Sequence, residues 1–248
     1  MERIDDLNLN GKKIVQDTEL FLFGMDSVLL ANKVKGTSKD VVVDLGTGSC
    51  VMPVIICEKT EIAKIIGIEV QNRMYKLAIK NIAYNNLQDR IYVLKENLKN
   101  VHNIQKYIMD MTGRDKVDIV ISNPPYKKIG TGSKNEKDEK YIARHEVLCE
   151  LEDIFLTASK LLKFKGKLYL VHKPERIADL ISLARKYKLE PKEIQFLQPT
   201  EDKKPSIVLI EYVLGGGNEC IVLPSLIEYD NAGNYNKNIL DIYGMNEK

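Results

Sequence analysis

The chain has 248 residues, 44% of them hydrophobic and 29% charged, which fits one globular α/β domain with small extensions and excludes a disordered polymer. Its net charge of +2 excludes a molecule that holds nucleic acid by bulk charge alone, and no apolar run reaches membrane-spanning length. The four cysteines (Cys50, Cys57, Cys149, Cys220) form no CxxC pair and the three histidines (His102, His145, His172) are scattered, so no metal is expected and free thiols fit a reducing compartment.

Residues 1–40 read as an N-terminal extension on the core. Glu2, Arg3, Asp5 and Asp6 leave no apolar stretch of a secretory signal, so a cytoplasmic protein is expected. The extension ends in a predicted helix capped by Asp26 or Ser27. From about residue 40, strands and helices alternate. Val41–Val43 is a β-branched run before Asp44 and a Gly-containing turn, and Val51 to Glu58 follows as a helix. Lys64 to Glu69 is a second strand. Gln71 to Asn85 is helical, with Met74, Leu77, Ala78 and Ile82 at helical spacing. Ile91 to Leu94 is a third strand, and Val101 to Met111 a helix ended near Gly113. Val117 to Ser122 is a fourth strand, and Val147 to Leu162 a long helix. Gly166 opens a fifth strand, Leu168 to Val171, and Pro174 starts a helix running to about Tyr187. Ile194 to Leu197 and Ile207 to Leu214 complete seven strands. Strands apolar on both faces, alternating with helices, imply a mainly parallel sheet covered on both sides, with an antiparallel last strand. The domain is expected to span residues 41–214, with a tail over 215–248 packed on it.

Chemistry concentrates at strand ends. Asn123-Pro124-Pro125-Tyr126 stops the fourth strand, because two prolines cannot continue a central strand. The turn presents an amide (Asn123), a free carbonyl (Pro124) and an aromatic face (Tyr126), which together suit a planar substrate with an –NH2 group. A proline turn with an incidental tyrosine is the alternative. From Tyr126 to His145 there are six Lys/Arg residues, Lys127, Lys128 and Arg144 among them, against three acids. That excess suits a polyanion or a solvated loop.

Asp44-Leu45-Gly46-Thr47-Gly48-Ser49-Cys50 lies between the first strand and its helix. Gly46 and Gly48 allow a tight turn and a close backbone approach to a ligand. The third dinucleotide glycine is absent, since Val51 stands there, and Asp44 precedes the turn where a cationic methionine end would sit. Both details favour S-adenosylmethionine over a pyrophosphate cofactor. Glu69, about 20 residues further on, is placed to accept from ribose hydroxyls, and Asn97 to meet an adenine ring. Each also reads as an ordinary polar residue at a strand end.

With these residues in place, the chain resembles the class I S-adenosylmethionine-dependent methyltransferases that carry an NPPY motif. It is most similar to bacterial enzymes that methylate the exocyclic amine of an adenine beside the anticodon of valine tRNA. Phe23 to Leu30, Asp44 to Gly48, Gly67 to Gln71, Ser122 to Tyr126, Ala143 to Glu146 and Pro224 to Tyr229 carry the resemblance. It implies a seven-stranded Rossmann-like sheet, S-adenosylmethionine as cofactor, tRNA as partner, and a monomer or weak dimer. Asn123, Pro124 and Tyr126 become catalytic, with Pro125, Lys127, Lys128 and Arg144 on the substrate. Asp26, from a segment that lines or covers the cofactor in the family, joins Asp44, Gly46, Gly48, Glu69 and Asn97 as a cofactor residue. Cys50 and Asn97 depart from the family pattern. Competing readings are a glutamine methyltransferase of a release factor, an rRNA guanine methyltransferase and a non-catalytic S-adenosylmethionine-binding scaffold.

Overall fold

The computed structural model describes residues 1–20, 22–126 and 151–245. Lys127, Lys128 and Arg144 lie outside the described residues. A hairpin opens the chain: β1 (Glu2–Leu9) pairs antiparallel with β2 (Lys12–Asp17). Its turn is Asn10-Gly11, both with positive φ (46° and 74°), the conformation that a two-residue hairpin loop requires. The expected extension is thus a folded hairpin followed by α1 (Met25–Lys33). The cap of α1 also differs from expectation. Gly24 is its N-cap, and Asp26 and Ser27 lie inside the first turn.

The central sheet uses β3 (Val41–Leu45), β4 (Lys64–Glu69), β5 (Ile91–Lys95), β6 (Val117–Ser122), β7 (Leu162–His172), β8 (Leu189–Gln198) and β9 (Ile207–Leu214). Two-residue strands β10 (Ile221–Val222) and β11 (Leu226–Ile227) add parallel to β8, so among the described residues the sheet has nine strands rather than seven. The order is β10-β8-β9-β7-β6-β3-β4-β5. Pairing is parallel except at β9, which runs antiparallel to both β7 and β8. The strands β3, β4 and β6 are buried almost throughout, which is why their sequences are apolar on both faces.

Helices α2 (Val51–Lys59), α3 (Asn72–Tyr84), α4 (Val101–Thr112), α5 (Leu151–Leu161) and α6 (Ile177–Lys186) connect the strands, and α7 (Lys237–Ile242) closes the tail. The core forms two layers. One gathers α1, α2 and inward residues such as Ile55, Ile65 and Tyr169; the other gathers α4, α5, α6 and Val43, Val120 and Phe155. β7 starts four residues before Gly166, with an irregularity in its pairing to β6.

Strand order reverses between β3 and β6: β4 and β5 follow on one side, β7 on the other. Open α/β sheets bind ligands at the carboxyl ends beside such a switch. Ser122 fastens the two ends together, its hydroxyl donating to the Leu45 carbonyl at 2.8 Å.

Candidate active site

The carboxyl ends of β3, β4, β5, β6 and β7 enclose a cleft of about 790 Å³, within the size range of small-molecule sites. Gly46, Gly48, Glu69, Asn97, Asn123, Pro124, Pro125 and Tyr126 all line it. Residues separated by more than seventy positions in the chain therefore meet in one space. Asp44 and Asp26 stand behind the wall.

The turn after β3 is built by its backbone. The N–H groups of Gly46 and Thr47 donate to the Ile68 carbonyl at 2.9 and 3.0 Å, and Gly48 N–H donates to Glu69 Oε2 at 2.9 Å. Glu69 Oε1 accepts from the Gln71 N–H at 2.7 Å. The buried Glu69 carboxylate thus braces the turn through both of its oxygens. Gly48 has φ +56°, and a Cβ there would come within 3.3 Å of Met74 Cε. Cys50 has φ +69° at the N-cap of α2. A non-glycine residue in this conformation costs roughly 1–2 kcal/mol.

Asp44 is completely buried, and burial raises its carboxyl pKa to about 7; the Thr47 hydroxyl opposes the rise and the Glu69 charge adds to it. Thr47 Oγ1 donates to Asp44 Oδ2 at 2.7 Å, while Asp44 Oδ1 has no hydrogen-bond partner among the described residues. A buried acceptor left in this state suits a cationic group close to the turn. Asn97 is partly buried; its Oδ1 accepts from Lys99 N–H at 2.9 Å and its own N–H donates to Glu96 Oε1 at 2.8 Å. Glu96 also faces the cleft. Side-chain bonds from Asn103 and Asn100, then the Asn97 N–H, hold its carboxyl below the ordinary value.

On the other side, Asn123 Nδ2 donates to Ser27 Oγ at 2.9 Å, and the Tyr126 hydroxyl lies 2.7 Å from Asn123 Oδ1 and against Asp26 Oδ2. Burial first and the Asp26 charge second raise the phenol pKa well above its ordinary value. The His172 ring meets the Tyr126 ring edge-on at 5.1 Å, and Lys173 Nζ lies 5.4 Å from the Tyr126 centroid. Lys173 Nζ also donates to the Ser206 carbonyl at 3.1 Å.

Sequence reading missed Ser27, Glu96, His172 and Lys173. Ser27 sits in the Phe23–Leu30 segment already marked by resemblance. Lys173 follows β7 as Asn123 follows β6, and the rule that strand ends face the ligand would have flagged it. Asn81 was missed for another reason. It is fully buried and bridges distant parts: Nδ2 donates to the Val15 and Ser49 carbonyls, both at 2.9 Å, and Oδ1 accepts from Val15 N–H at 2.7 Å. The hairpin is thereby tied to the glycine turn.

The family described as methyltransferase small domain matches residues 23–187. A tRNA1(Val) (adenine(37)-N6)-methyltransferase of Porphyromonas gingivalis is 26% identical over 193 residues, covering 76% of this chain and 73% of the relative. The protein of the same name from Parabacteroides distasonis is 28% identical over 188 residues, covering 76% and 75%. That from Flavobacterium johnsoniae is 22% identical over 218 residues and covers 88% of each chain. Among solved structures, a protein of Agrobacterium tumefaciens described as a predicted O-methyltransferase superposes with a TM-score of 0.69 at 21% identity, over 89% of this chain and 96% of the other. The M. jannaschii tRNA m1G37 methyltransferase superposes with a TM-score of 0.59 at 16% identity, over 87% and 57%. At these identities the structural likeness speaks for the fold.

Proposed function

The chain belongs to the methyltransferase small domain family, and from that premise we propose that it transfers a methyl group from S-adenosylmethionine to the exocyclic N6 amine of an adenine in tRNA, at the nucleotide beside the anticodon of valine tRNA. The observation that carries the reading is the meeting of Asn123 and Pro124 with the Gly46–Gly48 turn on one cleft. The names of the relatives supply the acceptor.

The residues of the cleft fit S-adenosylmethionine. Glu69 offers acceptors to ribose hydroxyls and Asn97 a donor and an acceptor to adenine, while Asp44 behind the cleft wall, whose Oδ1 has no partner among the described residues, suits a cationic methionine end near the turn. When bound, the cofactor supplies an electrophilic methyl group on sulfur. The protein's task is then to orient a weak nucleophile, because the lone pair of an adenine amine is delocalised into the ring. The Asn123 amide oxygen and Pro124 carbonyl accept its two N–H bonds, turn the lone pair out of conjugation and stabilise the charge that develops on nitrogen. Tyr126 stacks on the base. No strong base is needed beforehand, since the proton leaves after transfer. A base in a loop is extruded at low cost. Lys127, Lys128 and Arg144 are assigned to phosphates, with Lys173 as a further cation beside Tyr126.

Transfer from labelled S-adenosylmethionine to tRNA lacking the modification, followed by mass spectrometry of nucleosides, tests the proposal. N6-methyladenosine in one tRNA is expected. Label confined to rRNA or to a protein amide overturns the tRNA assignment.

A further inference from the structure

Asp26, Ser27, Asn123 and Tyr126 form a closed ring of hydrogen bonds in the wall of the cleft. Ser27 N–H donates to Asp26 Oδ1 at 2.8 Å, and Asn123 Nδ2 donates to Ser27 Oγ at 2.9 Å. The Tyr126 hydroxyl lies against Asp26 Oδ2 and 2.7 Å from Asn123 Oδ1. A phenol has one proton for these two acceptors. A charged carboxylate outcompetes a neutral amide oxygen for it, because charge-assisted bonds are roughly twice as strong. Asn123 Oδ1 is the oxygen that the proposed reaction needs for an incoming amine. Phe23 and Ser27 line the cleft, whereas Asp26 is buried behind them and Tyr126.

We propose that Asp26 is a positioning residue of the transfer site: it accepts the hydrogen bond of the Tyr126 phenol and so leaves the lone pairs of the Asn123 amide oxygen to the N–H of the substrate. The inference rests on the reading above that Asn123 accepts from the target amine. It replaces the sequence expectation that Asp26 contacts the cofactor.

Substitution Asp26→Asn is a sharp test. The new side chain has one oxygen, which keeps the Ser27 N–H, and its NH2 then faces the Tyr126 hydroxyl. The phenol then donates to Asn123 Oδ1, taking up one of its two lone pairs and weakening it as an acceptor for the amine. Turnover is expected to fall at least about tenfold, the cost of one lost transition-state hydrogen bond, with S-adenosylmethionine affinity by calorimetry within about twofold, since no cofactor contact is lost. The defect requires the phenol. In a Tyr126→Phe background, Asp26→Asn should therefore cost no further turnover. Asp26→Ala, which also frees the phenol proton, should show the same dependence on Tyr126 if the Asn variant does not fold. Weakened cofactor binding in both backgrounds would return Asp26 to the cofactor. Losses that multiply across the two positions would make its role independent of Tyr126; either result overturns the proposal. Product analysis of the wild-type protein separates the two claims. Methyl found on an acceptor other than an amine refutes the reading beneath it, whatever the double variant does.

Discussion

The backbone N–H of Gly48 donates to the Glu69 carboxylate at 2.9 Å, so the turn that ends β3 is locked to the end of β4. One buried acid thus holds the shape of the turn and still faces the cleft. Replacing Glu69 with alanine leaves the N–H groups of Gly48 and Gln71 without their charged acceptor. Each such bond is worth about 1.5–3 kcal/mol. Calorimetry should record S-adenosylmethionine affinity reduced at least about tenfold, and the melting temperature should fall with it. Unchanged affinity would remove Glu69 from the site.

Gly67 faces Thr47 across the β3–β4 pair. A Cβ at Gly67 would lie 2.7 Å from Thr47 Cγ2 and 2.9 Å from its Cβ, closer than side chains tolerate. Thr47 cannot move without releasing Asp44. Gly67→Ala is expected to cost about 1–3 kcal/mol in urea unfolding and to weaken cofactor binding. Adding Thr47→Ser removes only the Cγ2 contact and should restore part of the stability.

The elevated carboxyl pKa of Asp44, about 7 against an ordinary 3.8, gives stability a direction with pH. The folded protein holds this proton more tightly than the unfolded chain. The contribution of Asp44 is therefore fully present below the ordinary value and is lost as pH rises through about 7. Asp44→Asn keeps the Thr47 contact without a titrating charge. Its stability relative to wild type should increase between about pH 4 and 7 and level off above, by a few kcal/mol at most, when unfolding is followed across that range without cofactor. A flat difference would show that Asp44 titrates normally.

Thiol chemistry should divide by burial. Cys50 and Cys57 are buried, and desolvation raises both thiols, Cys57 to about 11 and Cys50 further. Cys220 is exposed, and its thiol is raised as well. The thiolate is the reactive form, so access decides among them. Of these three cysteines, alkylation at pH 8 with mass mapping should label Cys220 first and reach Cys50 and Cys57 only on unfolding. Early labelling of Cys50 would contradict the packing of the glycine turn.

Asn123→Ala removes the proposed acceptor of the substrate amine, and a loss of about 10²-fold or more in kcat is expected from the removal of one oriented polar group. The circular dichroism spectrum should be retained. Full turnover by the folded variant would refute the assigned role of the proline turn.

Much of the fold was legible because buried parallel strands leave continuous apolar runs, as in Val41–Val43 and Val117–Ser122, and because Gly and Pro mark where they stop. The hairpin at residues 2–17 carried its own signal, Asn10-Gly11 between stretches holding Leu7, Ile14 and Val15, but the charges around it disguised the alternation. The two-residue strands β10 and β11 carried none, since backbone pairing alone makes them strands.

The sequence by itself determined the chemistry available at each strand end: a glycine turn after Asp44, an acid at Glu69, two acceptors and a ring at Asn123 to Tyr126. Motif residues are local, and their conformational demands are written in the chain. Only the tertiary structure decided which of them share a space and which compete for one proton. The Asp26 carboxylate is a hundred residues from Tyr126 in the chain; its role is set by a contact between α1 and the end of β6, and no local pattern encodes who receives a hydrogen bond across such a distance.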